Sequence, residues 1–303
     1  MDLNFVRLIF TLKLEADSAD PYALFDLKPH FMESLLQAVN CGRLQCVPCK
    51  KRDDCPYHMS FSQSLSADPA ALRRYQKPSL PFVFDITLLP PVPNSGSLVE
   101  LGLTIAGLAV NHPREYIAAA EGMLQSPGLR RKVRASLLKI ESSGYDGTRS
   151  VIMESGGAVG TGYLQTLSLQ GLQEVGILST DAVSLTIITP MRLMTEGRPL
   201  REFSFSPFVR ALFRRLSSLV YYYGGEEPEL DYKWLAEQSR MVECVTANFR
   251  WVEWGSRWSG LIGEGTFAGN LSEYLPFLQA GEYLHVGKGA SFGLGRFLLD
   301  KVA

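Results

Sequence analysis

From Phe5 to Leu14 polar and apolar positions interchange with a period of two, and Val6, Leu8, Phe10, Leu12 and Leu14 form one unbroken apolar face. That pattern predicts an opening core strand. Past the turn-rich segment ADSADPYA the period lengthens. Phe31, Leu35, Leu36 and Val39 keep helical spacing just after Pro29 and His30, so His30 is expected at the start of a helix. PFVFDITLL and GSLVELGLTIAG, separated by the turn PPVPNSG, have the β-branched and apolar content of strands. NHPREYIAAAEGMLQ reads as a helix with Asn111 as its cap and Pro113 in its first turn. A further strand is expected between Gly128 and Ile140.

Ser142 to Gly176 is rich in Gly, Ser and Thr and fits a domain boundary or an inserted loop. After it DAVSLTIITPMRL predicts a strand, and FSPFVRALFRRLSSLVYYYG a helix whose buried stripe is Phe208, Leu212, Phe213, Leu216 and Leu219. Two strands follow, roughly Glu243 to Trp254 and Gly263 to Ala268, then a helix around Ser272 to Gln279 and a closing strand. Each half repeats one order of strands and helices. That order predicts an α+β fold of tandem ferredoxin-like domains, with one antiparallel sheet per half and helices on one face. The expected division is 1–150, a Gly/Ser-rich connection over 151–180, and 181–303.

The chain has 303 residues, 46% of them apolar and 20% charged, with 30 Lys plus Arg against 31 Asp plus Glu. So much apolar residue on so little net charge excludes a disordered chain and suits two domains of roughly 100 to 200 residues each. No run approaches the roughly 18 to 20 apolar residues of a membrane span, and Asp2 stands where a signal peptide is basic. A cytoplasmic protein with no membrane partner is expected. A net charge of -1 counts only weakly against nucleic acid, because the bases cluster. Arg130, Arg131, Lys132, Arg134 and Lys139 fall within ten residues free of acids, and Arg192, Arg198, Arg201, Arg210, Arg214 and Arg215 lie between Met191 and Leu216. Each run is either a solvated helix face or part of a phosphate-binding surface. Tyr221 to Tyr223, Trp251, Trp254 and Trp258 are aromatics that either pack in the sheet or stack bases.

Four of the five cysteines, Cys41, Cys46, Cys49 and Cys55, fall in fifteen residues. In a reducing compartment such clustering points to a metal more than to disulfides, and Cys46-Val-Pro-Cys49 has the short knuckle spacing of zinc sites. A structural Zn ion is the expectation. His58 in place of one cysteine, an iron–sulfur cluster and unliganded thiols are the alternatives. Cys244 sits alone in an apolar stretch and is expected in the core.

The chain ends in GKGASFGLGRFLLDKVA, where Gly287, Gly289, Gly293 and Gly295 accompany Lys288 and Arg296. A strand follows it, so it is not a dinucleotide fingerprint, and GxxxxGK[ST] is absent. Glycines let backbone amides come close to an anion, and Lys288 and Arg296 add positive charge. An RNA backbone suits such a loop; a tight turn without ligand is the alternative.

The segment GEYLHVGKGASFGLGRFLL resembles the glycine-rich loop that closes the CRISPR-associated RAMP superfamily, in particular the endoribonucleases that cut precursor CRISPR RNA. CGRLQCVPCKKRDDCPYHMSF, TPMRL and FSFSPFVRALFRRLSSLVYYYG resemble one branch of it in the same order along the chain. The resemblance implies two ferredoxin-like (RRM-like) domains, CRISPR repeat RNA as partner, and subunits of a CRISPR effector complex as protein partners. It implies metal-independent cleavage in which a ribose 2′-hydroxyl attacks the adjacent phosphorus and leaves a 2′,3′-cyclic phosphate. Histidine suits either proton transfer, and a Lys or Arg can stabilise the charged intermediate. By position His30 is the expected catalytic residue and His58 its rival, while His112 reads as a surface residue and His285 as an RNA contact. Gly287, Lys288, Gly289, Gly293, Gly295, Arg296, Arg210, Arg214 and Arg131 are the expected RNA-binding residues. Some RAMP proteins bind guide RNA without cutting it, and a non-catalytic RNA-binding subunit is therefore the alternative.

Overall fold

A computed structural model of the chain describes residues 3–18, 20–41, 46, 49–75, 77–89, 95–154, 162–175, 179–224 and 230–300. It falls into two compact units, Asn4–Thr166 and Met1–Leu3 with Leu167–Ala303. The division lies within the Gly-, Ser- and Thr-rich stretch.

The first unit carries β1 (Asn4–Leu14), α1 (Lys28–Ala38), α2 (Pro56–Phe61), β2 (Phe82–Ile86), β3 (Leu98–Ala106), α3 (Pro113–Gln125), β4 (Ala135–Ser143) and β5 (Arg149–Glu154). Its antiparallel sheet runs β2-β3-β1-β4-β5. The first four strands in that order are the ferredoxin-like arrangement, and β5 extends it as a hairpin partner of β4. Because β1 is central, both of its faces are largely buried, Thr11 included. Arg7 on β1 reaches Asp85 on β2 at 2.7 Å. Gly102 of β3 lies between them, where a Cβ would stand 2.7 Å from the Asp85 Cβ, so the missing side chain makes room for this pair. Over the sheet Phe31 of α1 packs edge-on to Phe82 and Phe84, with ring centres 5.1 and 4.8 Å apart. Tyr116 of α3 closes that cluster, its hydroxyl 2.8 Å from Ser60 Oγ.

The strand expected from Gly128 begins later. Ser126 accepts a bond from the Leu129 amide at 3.4 Å and Pro127 takes the first helical position, so residues 127–130 form a helical turn before β4. Arg149–Glu154, expected within a loop or boundary, is strand β5.

The second unit holds β6 (Ala182–Met191), α4 (Phe205–Leu219), β7 (Glu243–Trp254), β8 (Trp258–Ala268), α5 (Leu275–Leu284) and β9 (Phe297–Asp300). Its sheet order is β7-β8-β6-β9, antiparallel throughout, and it repeats the ferredoxin-like arrangement. The stripe expected on α4 is buried as read: Phe208, Leu212, Phe213, Leu216 and Leu219 are 0–3% exposed. Strand β8 starts five residues earlier than expected because Gly260 and Gly263 interrupt its apolar alternation. There a Cβ would meet the backbone of Met191 or Asn248, so the glycines serve close strand approach. Edge strand β7 leaves most of its residues exposed, and Cys244 is exposed rather than in the core. An apolar run on an edge strand has a neighbour on one side only, so apolar content there does not imply burial.

Candidate functional site

The glycine-rich loop joins α5 to β9 in the second unit. Gly287, Gly289, Gly293 and Gly295 all have positive φ, between 64° and 93°. That left-handed backbone is open to glycine at little cost. The four glycines do different things. Gly287 and Gly289 reach the surface with Lys288 between them, whereas Gly293 and Gly295 are buried. At Gly287 a Cβ would stand 2.8 Å from the Arg192 carbonyl oxygen, and at Gly295 it would collide with that of Val286. Gly293 and Gly295 thus shape the loop from inside.

The end of β6 anchors this loop. The Lys288 amide donates to the Arg192 carbonyl at 2.9 Å, and the Gly295 amide to that of Pro190 at 3.1 Å. Thr189, 1% exposed, donates its hydroxyl to the Gly293 carbonyl at 2.8 Å and accepts from the Arg296 amide at 2.9 Å. Among the described residues neither the Gly287 nor the Gly289 amide donates to a backbone carbonyl. Backbone N–H groups flanking exposed Lys288 are donors of the kind suited to phosphate oxygens.

On α4, Arg210 and Arg214 are both exposed. Partial desolvation, then the like charge of Arg210, lower the Arg214 pKa. Arg215, next in sequence, faces inward. It donates from Nε to the Leu284 carbonyl at 2.7 Å and from Nη2 to Ser291 Oγ at 3.2 Å. Part of the residue still meets solvent, yet enough protein surrounds the guanidinium to bring its pKa down to about 10, which leaves it charged at neutral pH. Of the aromatics considered for base stacking, Tyr223 and Trp254 are buried, Arg201 lies 4.1 Å over the Trp251 ring and Arg257 4.6 Å over that of Trp258.

In the first unit His30 stands in the opening turn of α1, as its place just after Pro29 predicts, and is half-buried. Its ring lies flush against Gly128. A Cβ there would collide with His30 Cε1 and stand 3.2 and 3.3 Å from Nδ1 and Nε2. Three residues on, Arg131 is exposed, while Arg130 pairs with Glu15 at 3.1 Å and Lys132 with Asp26. The first basic cluster is therefore partly neutralised, with Arg131 and Arg134 its exposed remainder.

The other histidines sit differently. His58 on α2 is 8% exposed, with Nε2 3.3 Å from Ser64 Oγ. Burial pushes its pKa below the ordinary value; Asp53 opposes this and Arg52 adds to it. His112 is 3.0 Å from Asp54 at the start of α3. His285, expected to touch RNA, is only 1% exposed at the end of α5, with φ of 52°. Its neighbours Gly287 to Gly289, not its own ring, form the surface.

The Cys49 amide donates to the Cys46 carbonyl at 2.9 Å, and Cys55 is the extended residue that opens α2. Burial and, after it, electrostatic interaction with Cys46 and Cys41 raise the Tyr57 pKa. Among the described residues no three His, Cys, Asp or Glu side chains gather closely enough to hold a metal ion. Residues 42–45 and 47–48 lie outside the described residues. Among the described residues no helix is long and apolar enough to cross a membrane.

Residues 185–297 match the family model of the CRISPR-associated endoribonuclease Cas6, and residues 3–164 match AF_1859_N, described as an N-terminal domain. No curated protein matches the chain. Among solved structures, a partial Cas6-RT-Cas1–Cas2 complex is similar at 12% identity, covering 99% of this chain and 46% of that one, with a TM-score of 0.60. The chain thus spans about half the length of that relative. A Cas6 product complex is similar at 15% identity over 98% of this chain and 100% of that one, TM-score 0.58. Thermus thermophilus Cas6 follows at 15% identity, 98% of each chain, TM-score 0.54. These similarities agree with the ferredoxin-like fold of both units.

Proposed function

We propose that the chain is a CRISPR-associated RAMP-type endoribonuclease like those whose Cas6 family model matches residues 185–297, and that it cuts precursor CRISPR RNA within the repeat, in a reaction that needs no metal. The observation that carries this reading is the closing loop, where the exposed Lys288 side chain stands between Gly287 and Gly289 on a backbone whose far side is held by Thr189. Such a surface binds phosphate and reads no base edge by itself, so it positions an RNA strand rather than choosing its sequence. Exposed Arg210 and Arg214 add sequence-independent attraction.

Chemistry falls to His30. Its imidazole takes the proton of a ribose 2′-hydroxyl, the oxygen attacks the adjacent phosphorus, and the bond from phosphorus to the 5′-oxygen breaks as that oxygen takes a proton from solvent water. A 2′,3′-cyclic phosphate and a free 5′-hydroxyl result. A histidine can supply either proton transfer, worth about 10² to 10⁴ in rate. His30 is favoured over His58 because it is half-exposed at a helix start, whereas His58 is buried and engaged with Ser64.

The test is end-labelled CRISPR repeat RNA incubated with the protein in EDTA, beside RNAs carrying a 2′-hydrogen at each candidate site. One cut, abolished by one deoxy substitution and by His30→Ala with binding retained, is the expected result. Cutting that needs added metal overturns the mechanism. Tight binding with no cut assigns the chain to non-catalytic RNA-binding subunits of CRISPR effector complexes.

A further inference from the structure

Arg214 and Arg215 are adjacent, identical in chemistry, and placed in the molecule for different work. Helical rotation of about 100° per residue turns Arg214 to solvent and Arg215 toward the end of α5. Among the described residues Arg215 has no carboxylate within 4.0 Å; its two partners are the Leu284 carbonyl and Ser291 Oγ. Leu284 is the last residue of α5, whose terminal carbonyls have no partner within the helix and carry partial negative charge. Ser291 lies on the far side of the exposed tip. One planar guanidinium therefore holds both ends of the segment 285–290, which contains Gly287, Lys288 and Gly289. That segment is backbone of high intrinsic freedom: two glycines at positive φ, and His285 at φ 52°, a conformation a non-glycine residue adopts only when its surroundings impose it. A flexible tip binds more weakly than a fixed one, because ordering it costs free energy at the moment of binding.

We infer that Arg215 is a positioning residue for RNA binding, which touches no RNA itself and holds the Gly287–Lys288–Gly289 tip in its binding shape before RNA arrives. The rigid fork of arginine suits this, since its two donors fix the separation of the Leu284 carbonyl and the Ser291 hydroxyl, which a lysine ammonium on a flexible stem does not. The inference rests on the loop being an RNA contact.

The experiment compares wild type, Arg215→Met, Arg215→Lys and Ser291→Ala for repeat-RNA affinity across a salt series and for exchange of the Lys288 amide, which is bonded to the Arg192 carbonyl. A lost phosphate contact makes the slope of log affinity against log salt shallower by about 0.7 on a single strand, whereas lost positioning lowers affinity at every salt with the slope unchanged. Arg215→Met is expected to bind about tenfold more weakly at unchanged slope, with Arg215→Lys failing to restore binding. Its Lys288 amide, which wild type bonds to the Arg192 carbonyl, should exchange about tenfold faster or more. Should Arg215→Met not fold, Ser291→Ala keeps the charge and the Leu284 bond, and about a threefold loss at unchanged slope is expected. A shallower slope overturns the inference by making Arg215 a direct contact. Unchanged affinity in folded Arg215→Met or Ser291→Ala overturns it as well. Wild type that binds no repeat RNA removes the functional reading beneath it, a result distinct from wild-type binding to which Arg215 is indifferent.

Discussion

The imidazole of His30 rests on the bare backbone of Gly128, at a separation that leaves no room for a Cβ. The contact joins the first turn of α1 to the short helical turn at 127–130, and it makes Gly128 the residue that sets where the ring stands. Gly128→Ala has to push that ring aside. Displacement of a reacting group by about 1 Å costs on the order of 10² in rate, so cleavage of repeat RNA by Gly128→Ala should fall about that far while RNA binding stays within a few-fold. Single-turnover rates at saturating enzyme separate the two, and wild-type cleavage by a folded Gly128→Ala would remove His30 from the chemistry.

Thr189 serves two backbone groups with one hydroxyl, at the Gly293 carbonyl and the Arg296 amide. Thr189→Val keeps the shape and leaves both groups without that partner in a site only 1% exposed. Leaving a buried polar group unpaired costs about 1–3 kcal/mol. Urea unfolding of Thr189→Val should lose stability in that range, and RNA affinity should drop with it. A variant as stable as wild type would mean that the loop re-forms its bonds elsewhere.

His58 makes stability depend on pH in a definite direction. Burial holds its folded pKa below the ordinary 6.5, so between those two values the unfolded chain binds more protons than the folded one. Its contribution is complete above about pH 6.5 and is lost as pH falls from there toward the folded pKa. Urea midpoints measured from pH 8 to pH 5 should decline, and His58→Gln should flatten part of that decline. Parallel curves for the two proteins would exclude His58 as the source.

Arg210 and Arg214 are exposed on one helix and act, in the proposed function, through phosphate charge. Replacing either by Ala should weaken binding to unrelated RNAs and to repeat RNA alike, and reduce the salt slope by about 0.7 per arginine. Loss confined to repeat RNA at an unchanged slope would point instead to base contacts.

Much of this was legible along the chain. The positions of α1 and α4, the strand and helix order of each half and the place of His30 follow from periodicity, proline and glycine, which are local signals. Arg214 and Arg215 were not separable in that way, because their difference is the side of the helix that meets α5 and the loop. His285 reads in sequence as part of a glycine-rich surface, yet it ends α5 with its ring buried. Cys244 reads as core by its apolar neighbours, yet its strand is a sheet edge.

Sequence alone determined the two ferredoxin-like units, the glycine-rich close of the chain and the family resemblance. Each depends on residues near one another along the chain. Only the tertiary structure decided that Gly128 carries His30, that Thr189 and Arg215 hold the loop, and that Gly293 and Gly295 lie inside it while Gly287 and Gly289 face outward. The physical reason is separation: Thr189 and Gly293 are 104 residues apart, and Arg215 and Ser291 are 76. Contacts over such distances are set by how sheets and helices pack, and no local pattern of apolar and polar residues records them.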